Sequence, residues 1–557
     1  MAYSRSALEG ARLHWLLDLT IRGRVYRFSV EDLTVDDDGT PLHYAAGLAD
    51  LEYEDAISAP GAALEPAAAL VEVLFFGDTA NGWAALVATD HDIGDTTGDL
   101  ALWKEGTAYT DRHRILSGPL NAPSFGAPLE PVTFELSEAP WEAPGAVFPP
   151  ADAMISADTW PRTSASGTHQ IGGNVDGLVY PWVFGSPGRV DPYGNNYPAL
   201  PALLVEIPTG GDNTTGDAVL LVAGHPTGVA VAGNHVRIWN RSEATWPAGG
   251  ATFVPSITFD RLGRQVTIVT VQNADGLITD GDELWAAYVH GSDGGLTSER
   301  TAGTMRAADE VVGYLLDQTG IRVLPVGLRG AADRALAGLL LDFVVNETVN
   351  PLDLVLDDLL PLLPAVWRIG PDGWELRPWR WDATVADAVA RIDPDTYGGE
   401  RADVVRVSSI REVVNEQRVR FCLDVESGNH RGRISYAADP RTSDTEREPN
   451  PWSFASVSRY GVRAGPDLET DYVMVKSSAA ALLDWRIAYY SQTRQEVSYL
   501  LPQSYQSQTP GDVVLLTDSE LGWTDRVCLI LSVVRAPGPT VLTVSTVPDW
   551  VRDAPTT

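Results

Sequence analysis

Among its 557 residues the chain has two cysteines, Cys422 and Cys528, and four methionines. Two isolated thiols cannot build a disulfide framework, and no CxxC or CxxxC pair offers a zinc clamp. They read either as two buried thiols, the usual habit of free Cys, or as one bridge within a single domain. Positive charge is scarce as well: Lys and Arg total 40 against 75 Asp and Glu, a formal charge of −35. Such a surface repels phosphate backbones and anionic lipid, which argues against free nucleic acid as a bound partner. Long apolar runs are missing too. Even the stretch Leu339 to Val345 is interrupted by Asp342, and it falls far short of the ~18–20 residues of a membrane span. The opening MAYSRSALEGARLHWLLDL carries Arg5, Glu9 and Arg12 where a signal peptide would be apolar. Synthesis in a cytoplasm without classical export is the expectation.

Core-forming material is plentiful. Hydrophobic residues make up 44%, and the 17 Trp alone exclude wholesale disorder. At roughly 150 residues per domain the length predicts three to four domains.

The first 140 residues read as β structure. Leu13 to Leu19 and Arg24 to Val30 are strand-like and joined by a turn at Gly23, with Val71 to Phe76, Trp83 to Ala88 and Val132 to Leu136 continuing the pattern. Pro140, Pro144, Pro149, Pro150 and Pro161 then predict an extended connector, because proline lacks the N–H a ladder needs. Strands resume at Leu203 to Ile207, Ala218 to Ala223, Gly228 to Ala232, Val236 to Trp239, Val266 to Val271 and Leu284 to Val289.

Residues 301–400 change character. Met305 to Gln318 carries an i, i+3, i+4, i+7, i+8 apolar stripe and predicts an amphipathic helix. Ala331 to Leu341 and Leu352 to Leu363 are predicted helical too, the second starting after Asn350-Pro351. Ala365 to Ile369 and Trp374 to Arg377 flank Gly370-Pro-Asp-Gly373, a hairpin signal. The last 150 residues read as strands with one helix, Ala480 to Tyr490. The strands are Val404 to Val407, Gln417 to Leu423, Gly432 to Tyr436, Glu496 to Leu501, Val513 to Thr517, Val527 to Val534 and Val541 to Thr546.

Catalytic patterns are not found. There is no G-x-S-x-G elbow, H-E-x-x-H, Walker loop or G-x-G-x-x-G after a strand, and the nine His stand singly with no i, i+4 pair. Three acidic groups were weighed as calcium loops: Asp90, Asp92, Asp95 and Asp99; Asp36, Asp37 and Asp38; and Asp275, Asp280, Asp282 and Glu283. Gly94 and Asp95 sit at the wrong offsets for an EF-hand loop, consecutive Asp36 to Asp38 on a strand would point to opposite faces, and Gly276 and Gly281 break the third group, so solvated hairpin tips are the plainer reading. Trp374, Trp379 and Trp381 form the one Trp cluster, read either as packing or as a sugar-stacking surface. No catalytic, cofactor-binding or metal residue is assigned, and no cofactor is expected.

Three stretches carry a resemblance. Tyr180-Pro-Trp-Val-Phe-Gly-Ser-Pro-Gly-Arg189 follows a Thr-Trp-Pro (Thr159 to Pro161) and is similar to a segment of siphophage and gene-transfer-agent tail proteins. Val413-Val-Asn-Glu-Gln-Arg-Val-Arg-Phe421 resembles the strand opening a hub-type β-barrel. Tyr460-Gly precedes the helix Ala480 to Tyr490, then a strand to Pro502, then Pro510-Gly-Asp-Val-Val-Leu-Leu-Thr-Asp518 and two closing strands. That order resembles the tail hub, or late-control-protein, family of tailed bacteriophages.

The resemblance implies a mainly β, multidomain chain. It predicts an N-terminal hub-type β-barrel over residues 1–148, a second β domain over 149–300, a helix-containing α+β domain over 301–400 and a C-terminal hub-type β-barrel with one helix over 401–557. It implies a structural, non-enzymatic virion protein, synthesised in the host bacterial cytoplasm and located at the tail tip or baseplate. Homotrimers of such a chain would form a ring between a distal tail protein on the tube side and a fibre- or spike-bearing tip protein. Genomic DNA would pass the lumen without specific binding, helped by the acidic balance, and no stable membrane association is expected. A cell-wall hydrolase and a carbohydrate-binding adhesin are the rival readings.

Overall fold

The computed structural model describes residues 12–21, 23–57, 68–74, 96–120, 124–125, 131–137, 146–162, 169–188, 191, 194–195, 197–208, 217–227, 236–246, 252–272, 278–288, 295–297, 304–319, 336, 338–370, 373–394, 399–403, 405–424, 427–437 and 447–547. The predicted strands Trp83 to Ala88 and Gly228 to Ala232 lie outside them. The chain is mainly β, as the sequence predicts.

The N-terminal strands are β1 (Leu13–Ile21), β2 (Arg24–Ser29), β3 (Leu33–Asp37), β4 (Thr40–Ala46), β5 (Leu48–Ala56), β6 (Ala68–Val73), β7 (Thr97–Lys104), β8 (His113–Pro119), β9 (Ser124–Phe125) and β10 (Val132–Ser137). One sheet has the order β3-β4-β2-β1-β7-β8, and β5, β6, β10 and β9 belong to a second. Alternation along β1 sends Trp15, Leu17, Leu19 and Ile21 into the core between the sheets, against Leu51, Tyr53, Val71 and Phe134. Leu16 points the other way, under the β3–β4 hairpin with Val35, Tyr44 and Trp103. Both faces of β1 are therefore covered, which is why its sequence is nearly continuously apolar. Two stitches join the sheets at their edges. Gly47 donates to the Ser29 carbonyl (3.0 Å) and accepts from the Leu74 N–H (2.7 Å), and Leu120 bridges to Leu136. A Cβ at Gly47 would strike the Leu74 carbonyl and the Phe28 ring.

The next strands are β11 (His169–Gln170), β12 (Trp182–Phe184), β13 (Leu200–Pro201), β14 (Leu203–Pro208), β15 (Ala218–Ala223), β16 (Val236–Asn240), β17 (Thr252–Phe259), β18 (Gln265–Gln272) and β19 (Leu284–Tyr288). The sheet β11-β14-β15-β18-β17 has β15 at its centre, with β13-β19-β16 as a separate small sheet. Every residue of β15 is buried. Ala218, Leu220 and Val222 enter one core, whereas Val219 and Leu221 enter another with Trp160 and Tyr180. The described part of the proline-rich connector, 146–162, is folded rather than extended. Phe148 bridges to Val349, and Ile155 and Trp160 are fully buried. Proline forbids a ladder bond but not the burial of the aromatic residues between prolines.

The helical region holds α1 (Ala308–Asp317), β20 (Phe343–Val345), β21 (Ala365–Gly370) and β22 (Gly373–Pro378). The stripe of α1 (Ala308, Val311, Val312, Leu315, Leu316) is buried as predicted. The predicted helix Leu352 to Leu363 breaks into three pieces: Pro351–Asp353, a wide turn Leu354–Leu359, and a tight turn Leu360–Leu362. Pro361, without an N–H, cannot continue the α ladder. The predicted helix Ala331 to Leu341 is corrected where it is described. Gly338 sits at φ +88° and Leu340 bridges to Ala307, so the chain is already extended before β20.

The C-terminal strands are β23 (Ala390–Ile392), β24 (Glu400–Arg401), β25 (Arg406–Val407), β26 (Gln417–Asp424), β27 (Asn429–Ala437), β28 (Arg447–Pro449), β29 (Leu468–Glu469), β30 (Gln495–Leu501), β31 (Val513–Asp518), β32 (Trp523–Arg535) and β33 (Thr540–Thr546), with helices α2 (Pro451–Tyr460) and α3 (Lys476–Tyr490). Two helices stand where one was predicted. The Asn450 side-chain Oδ1 caps α2 by accepting from the Trp452 and Ser453 N–H groups, both 3.0 Å. Asn350 caps Pro351–Asp353 in the same way, accepting from Leu352 N–H at 2.9 Å. A single large core collects Phe148, Phe184, α1, Leu354–Leu363, β26, β27 and α3.

Candidate functional site

The long strand β32 ties the two ends of the chain together. Its first half pairs with β31. Its second half pairs antiparallel with β5, in the register Ser532 to Ala56 and Arg535 to Tyr53. Strands β5, β6, β9 and β10 thereby share one sheet with β23 to β25 and β30 to β33. Asp55 and Arg535 are diagonal neighbours on one face of this pairing. The Arg535 guanidinium is fully buried. Its Nη1 donates to Asp55 Oδ2 (3.0 Å), Nε to the Gln506 carbonyl (2.8 Å) and Nη2 to the Gln508 carbonyl (2.7 Å). It also lies over the Tyr53 ring at 5.6 Å. A charge taken out of water costs several kcal/mol unless it is paired and hydrogen-bonded, and this one is both.

A second junction is built on the YPWVFGSPG segment. Phe184 stacks on Phe343 at 4.8 Å, and Gly185 turns the chain at φ +68°. A Cβ there would run into the Asp342 carboxylate and the Leu341 carbonyl. Asp342, fully buried, accepts from Ser186 N–H (2.7 Å) and is gripped by Arg306 through Nε (2.8 Å) and Nη2 (2.9 Å). The aspartate that interrupts the apolar stretch is thus the anchor holding this segment to β20. Tyr180, from the same segment, accepts from the Trp160 indole N–H (2.9 Å) and donates to Asp260 (3.1 Å). Trp182 packs on His225 at 5.2 Å. His225 is neutral: its Nε2 accepts from Val183 N–H and its Nδ1–H donates to the Pro226 carbonyl, both 3.0 Å. Burial pushes its pKa down to about 4.

The residues weighed from sequence are dispersed among structural tasks. Asp36 accepts from Gly39 N–H at a hairpin tip. Asp99 pairs with Arg112 and Arg114. Asp280 and Asp282 pin Gly173 and Asn240, and Glu283 pairs with Arg241. Asp90, Asp92, Asp95 and Asp275 lie outside the described residues. Among the described residues no group of three or more His, Cys, Asp or Glu could hold a metal ion.

Both thiols are free and buried, in different cores, with burial pushing each pKa up to about 12. Trp379 is buried edge-on against Tyr489 at 5.4 Å and Trp381 packs against the same core. With Arg380, Tyr489, Arg494 and Val547 they line a shallow cleft. Trp379 offers no open stacking platform, and the Trp374 side chain lies outside the described residues. Among the described residues no helix is long and apolar enough to cross a membrane.

Sequence reasoning missed Asp55 and Arg535, which stand 480 positions apart. One signal was available: Leu51, Tyr53, Asp55 and Ile57 alternate, so Asp55 occupies an inward position of a strand.

No protein-family model matches the chain, and no curated protein matches it. Among solved structures, a virion of a native gene transfer agent particle matches with 13% identity over 61% of this chain and 80% of that one, at a TM-score of 0.36. The phage P2 virion baseplate in activated conformation matches at 11% identity and a TM-score of 0.16, and the same baseplate in its activated conformation with Ca at 12% and 0.16. Each of the two covers 67% of this chain and 99% of that one. At these scores the similarity carries no argument about function, which rests on the chain's own residues.

Proposed function

We propose that this chain is a structural virion protein, a tail-tip or baseplate hub whose three copies form a ring between the tail tube and the tip. The observation that carries the reading is the sheet that β5, β6, β9 and β10 share with β23 to β25 and β30 to β33, locked by the buried Asp55–Arg535 pair. A ring element must transmit load without hinging, and a sheet crossing from one end of the chain to the other couples the two ends rigidly. The motif order around Tyr180–Arg189, Val413–Phe421 and Pro510–Asp518 supports the same assignment. In this reading the two β regions at the chain ends build hub-type barrels in the ring wall, and the neighbours are a distal tail protein and a fibre- or spike-bearing tip protein. The formal charge of −35 keeps passing DNA from sticking. Single-particle imaging of the purified chain tests the proposal. A closed ring of three subunits is expected, and a monomer at micromolar concentration sinks it. A ring whose lumen is lined by Lys and Arg would overturn the DNA-passage part alone.

A further inference from the structure

Two sheet faces in the N-terminal region set carboxylates on adjacent strands, and only one of them is neutralised. On the sheet β3-β4-β2-β1-β7-β8, Asp18 stands directly opposite Asp99. Arg27 lies 3.7 Å from Asp18, and Arg112 and Arg114 pair with Asp99 at 3.4 and 3.0 Å. The sheet that contains β5, β6 and β10 differs. Leu51, Tyr53, Val71 and Phe134 point into the core, so alternation turns Asp50, Glu52, Glu54, Leu70, Glu72 and Glu135 to the other face. Asp50 is opposite Glu72, while Glu52 and Glu135 flank Leu70 from the two neighbouring strands. Among the described residues none of these five carboxylates pairs with a Lys or Arg. No Lys or Arg occurs between Arg27 and Lys104 or between Arg114 and Arg162, the two stretches that supply β5, β6 and β10.

An apolar row continues the same face. Glu54 is opposite Val534 on β32, Val534 opposite Val541 on β33, Val541 opposite Leu500 on β30, and Leu500 opposite Glu400 on β24. Leu70 is 58% exposed and Leu500 38%. Arg406, opposite Glu496 at the other end of β30, is paired with Asp403. Like charges directly opposite each other destabilise a sheet, and a Leu held in water between two Glu gains nothing from burial. Apolar side chains ringed by charge of one sign have the composition of an interface.

We propose that this face docks a surface of a different protein in which Lys and Arg surround an apolar centre. Charge complementarity selects that occupant. Nucleic acid and anionic lipid carry the sign the face already has. A second copy of the chain brings 75 acidic residues against 40 Lys and Arg, so it repels this face as well. Carboxylates leave water only against cations, and the partner has to supply them. The face stands apart from the ring proposed above, because it meets a foreign partner and needs no contact between subunits.

A synthetic peptide of alternating Lys and Leu is the probe. Its binding to the full chain is read by fluorescence anisotropy, with melting temperature as the folding control. The wild type is expected to bind it, and a wild type that does not overturns the proposal. Glu52→Gln/Glu72→Gln/Glu135→Gln is expected to weaken binding at least ~tenfold without lowering the melting temperature, since neutral amides relieve the like-charge contacts. Asp36→Asn/Asp37→Asn/Asp38→Asn removes the same charge from the β3–β4 hairpin and is expected to stay within about threefold. Equal losses in the two variants overturn the docking face, because the peptide then reads only net charge. Leu70→Ser is expected to weaken binding about threefold, and an unmoved affinity overturns the apolar centre. In sedimentation of the chain alone, wild type and Leu70→Ser are expected to share one association state, so a failed ring leaves the face standing. Self-association that Leu70→Ser abolishes assigns the face to a second copy and overturns the foreign partner.

Discussion

Arg535 in the joint with Asp55 and Arg411 in the exposed turn Ile410–Glu412 treat the same charge in opposite ways. Arg535 is dry, and each of its three nitrogens donates to the chain itself. Arg411 stands exposed at the surface. A buried guanidinium has to find its acceptors within the fold, because none can come from water. An exposed one is already hydrated, so it needs no partner from the chain. The first kind of arginine holds a fold; the second leaves it as it was.

The largest expected effect breaks the joint. Arg535→Met leaves Asp55 buried without its partner and should cost about 3–5 kcal/mol in denaturant unfolding. Adding Asp55→Leu should recover part of that loss. A single variant that unfolds like the wild type would show the joint to be ornamental.

Acid is next. His225 binds its proton less readily in the fold than in the open chain, where its pKa is near the ordinary 6.5. Its contribution is therefore complete above about pH 6.5 and is lost as pH falls towards 4, by about 3 kcal/mol in all. His225→Gln should flatten that part of the stability profile; an unchanged acid slope would assign it to the carboxylates instead.

A smaller effect belongs to a helix cap. Asn450→Ala removes the acceptor for Trp452 and Ser453 N–H and should cost about 1 kcal/mol. The smallest change is expected at the surface. Arg411→Glu should alter monomer stability by less than about 0.5 kcal/mol, and a larger loss would mean this arginine is part of the fold after all.

Local pattern was legible wherever a single element decides its own shape. The stripe of α1, the pairing of β21 with β22, and the strands β14, β15, β18 and β30 to β33 follow from periodicity and turn chemistry. The same signal can be used or passed over: Asn350-Pro351 announced a helix start, and Asn450-Pro451 carries the identical mark for α2. Trp452, Phe454 and Val457 sit too sparsely among serines for an apolar stripe to stand out. The connector failed for another reason. Proline content reports on hydrogen bonding, whereas Phe148, Ile155 and Trp160 were recruited by cores assembled from distant segments.

By itself, then, the sequence determined a mainly β chain with several cores and a strongly acidic surface. Two cysteines too few for a framework and titratable residues without a catalytic spacing belong to the same reading. These properties are sums or short-range periodicities, and each can be read along the chain. Which aspartate is an anchor, which arginine is locked and which is left exposed were decided only by the tertiary structure. Asp55 meets Arg535 across 480 positions, and Asp342 meets Gly185, Ser186 and Arg306 from three directions. Burial sets the worth of a charge, and burial depends on what the rest of the chain brings against it.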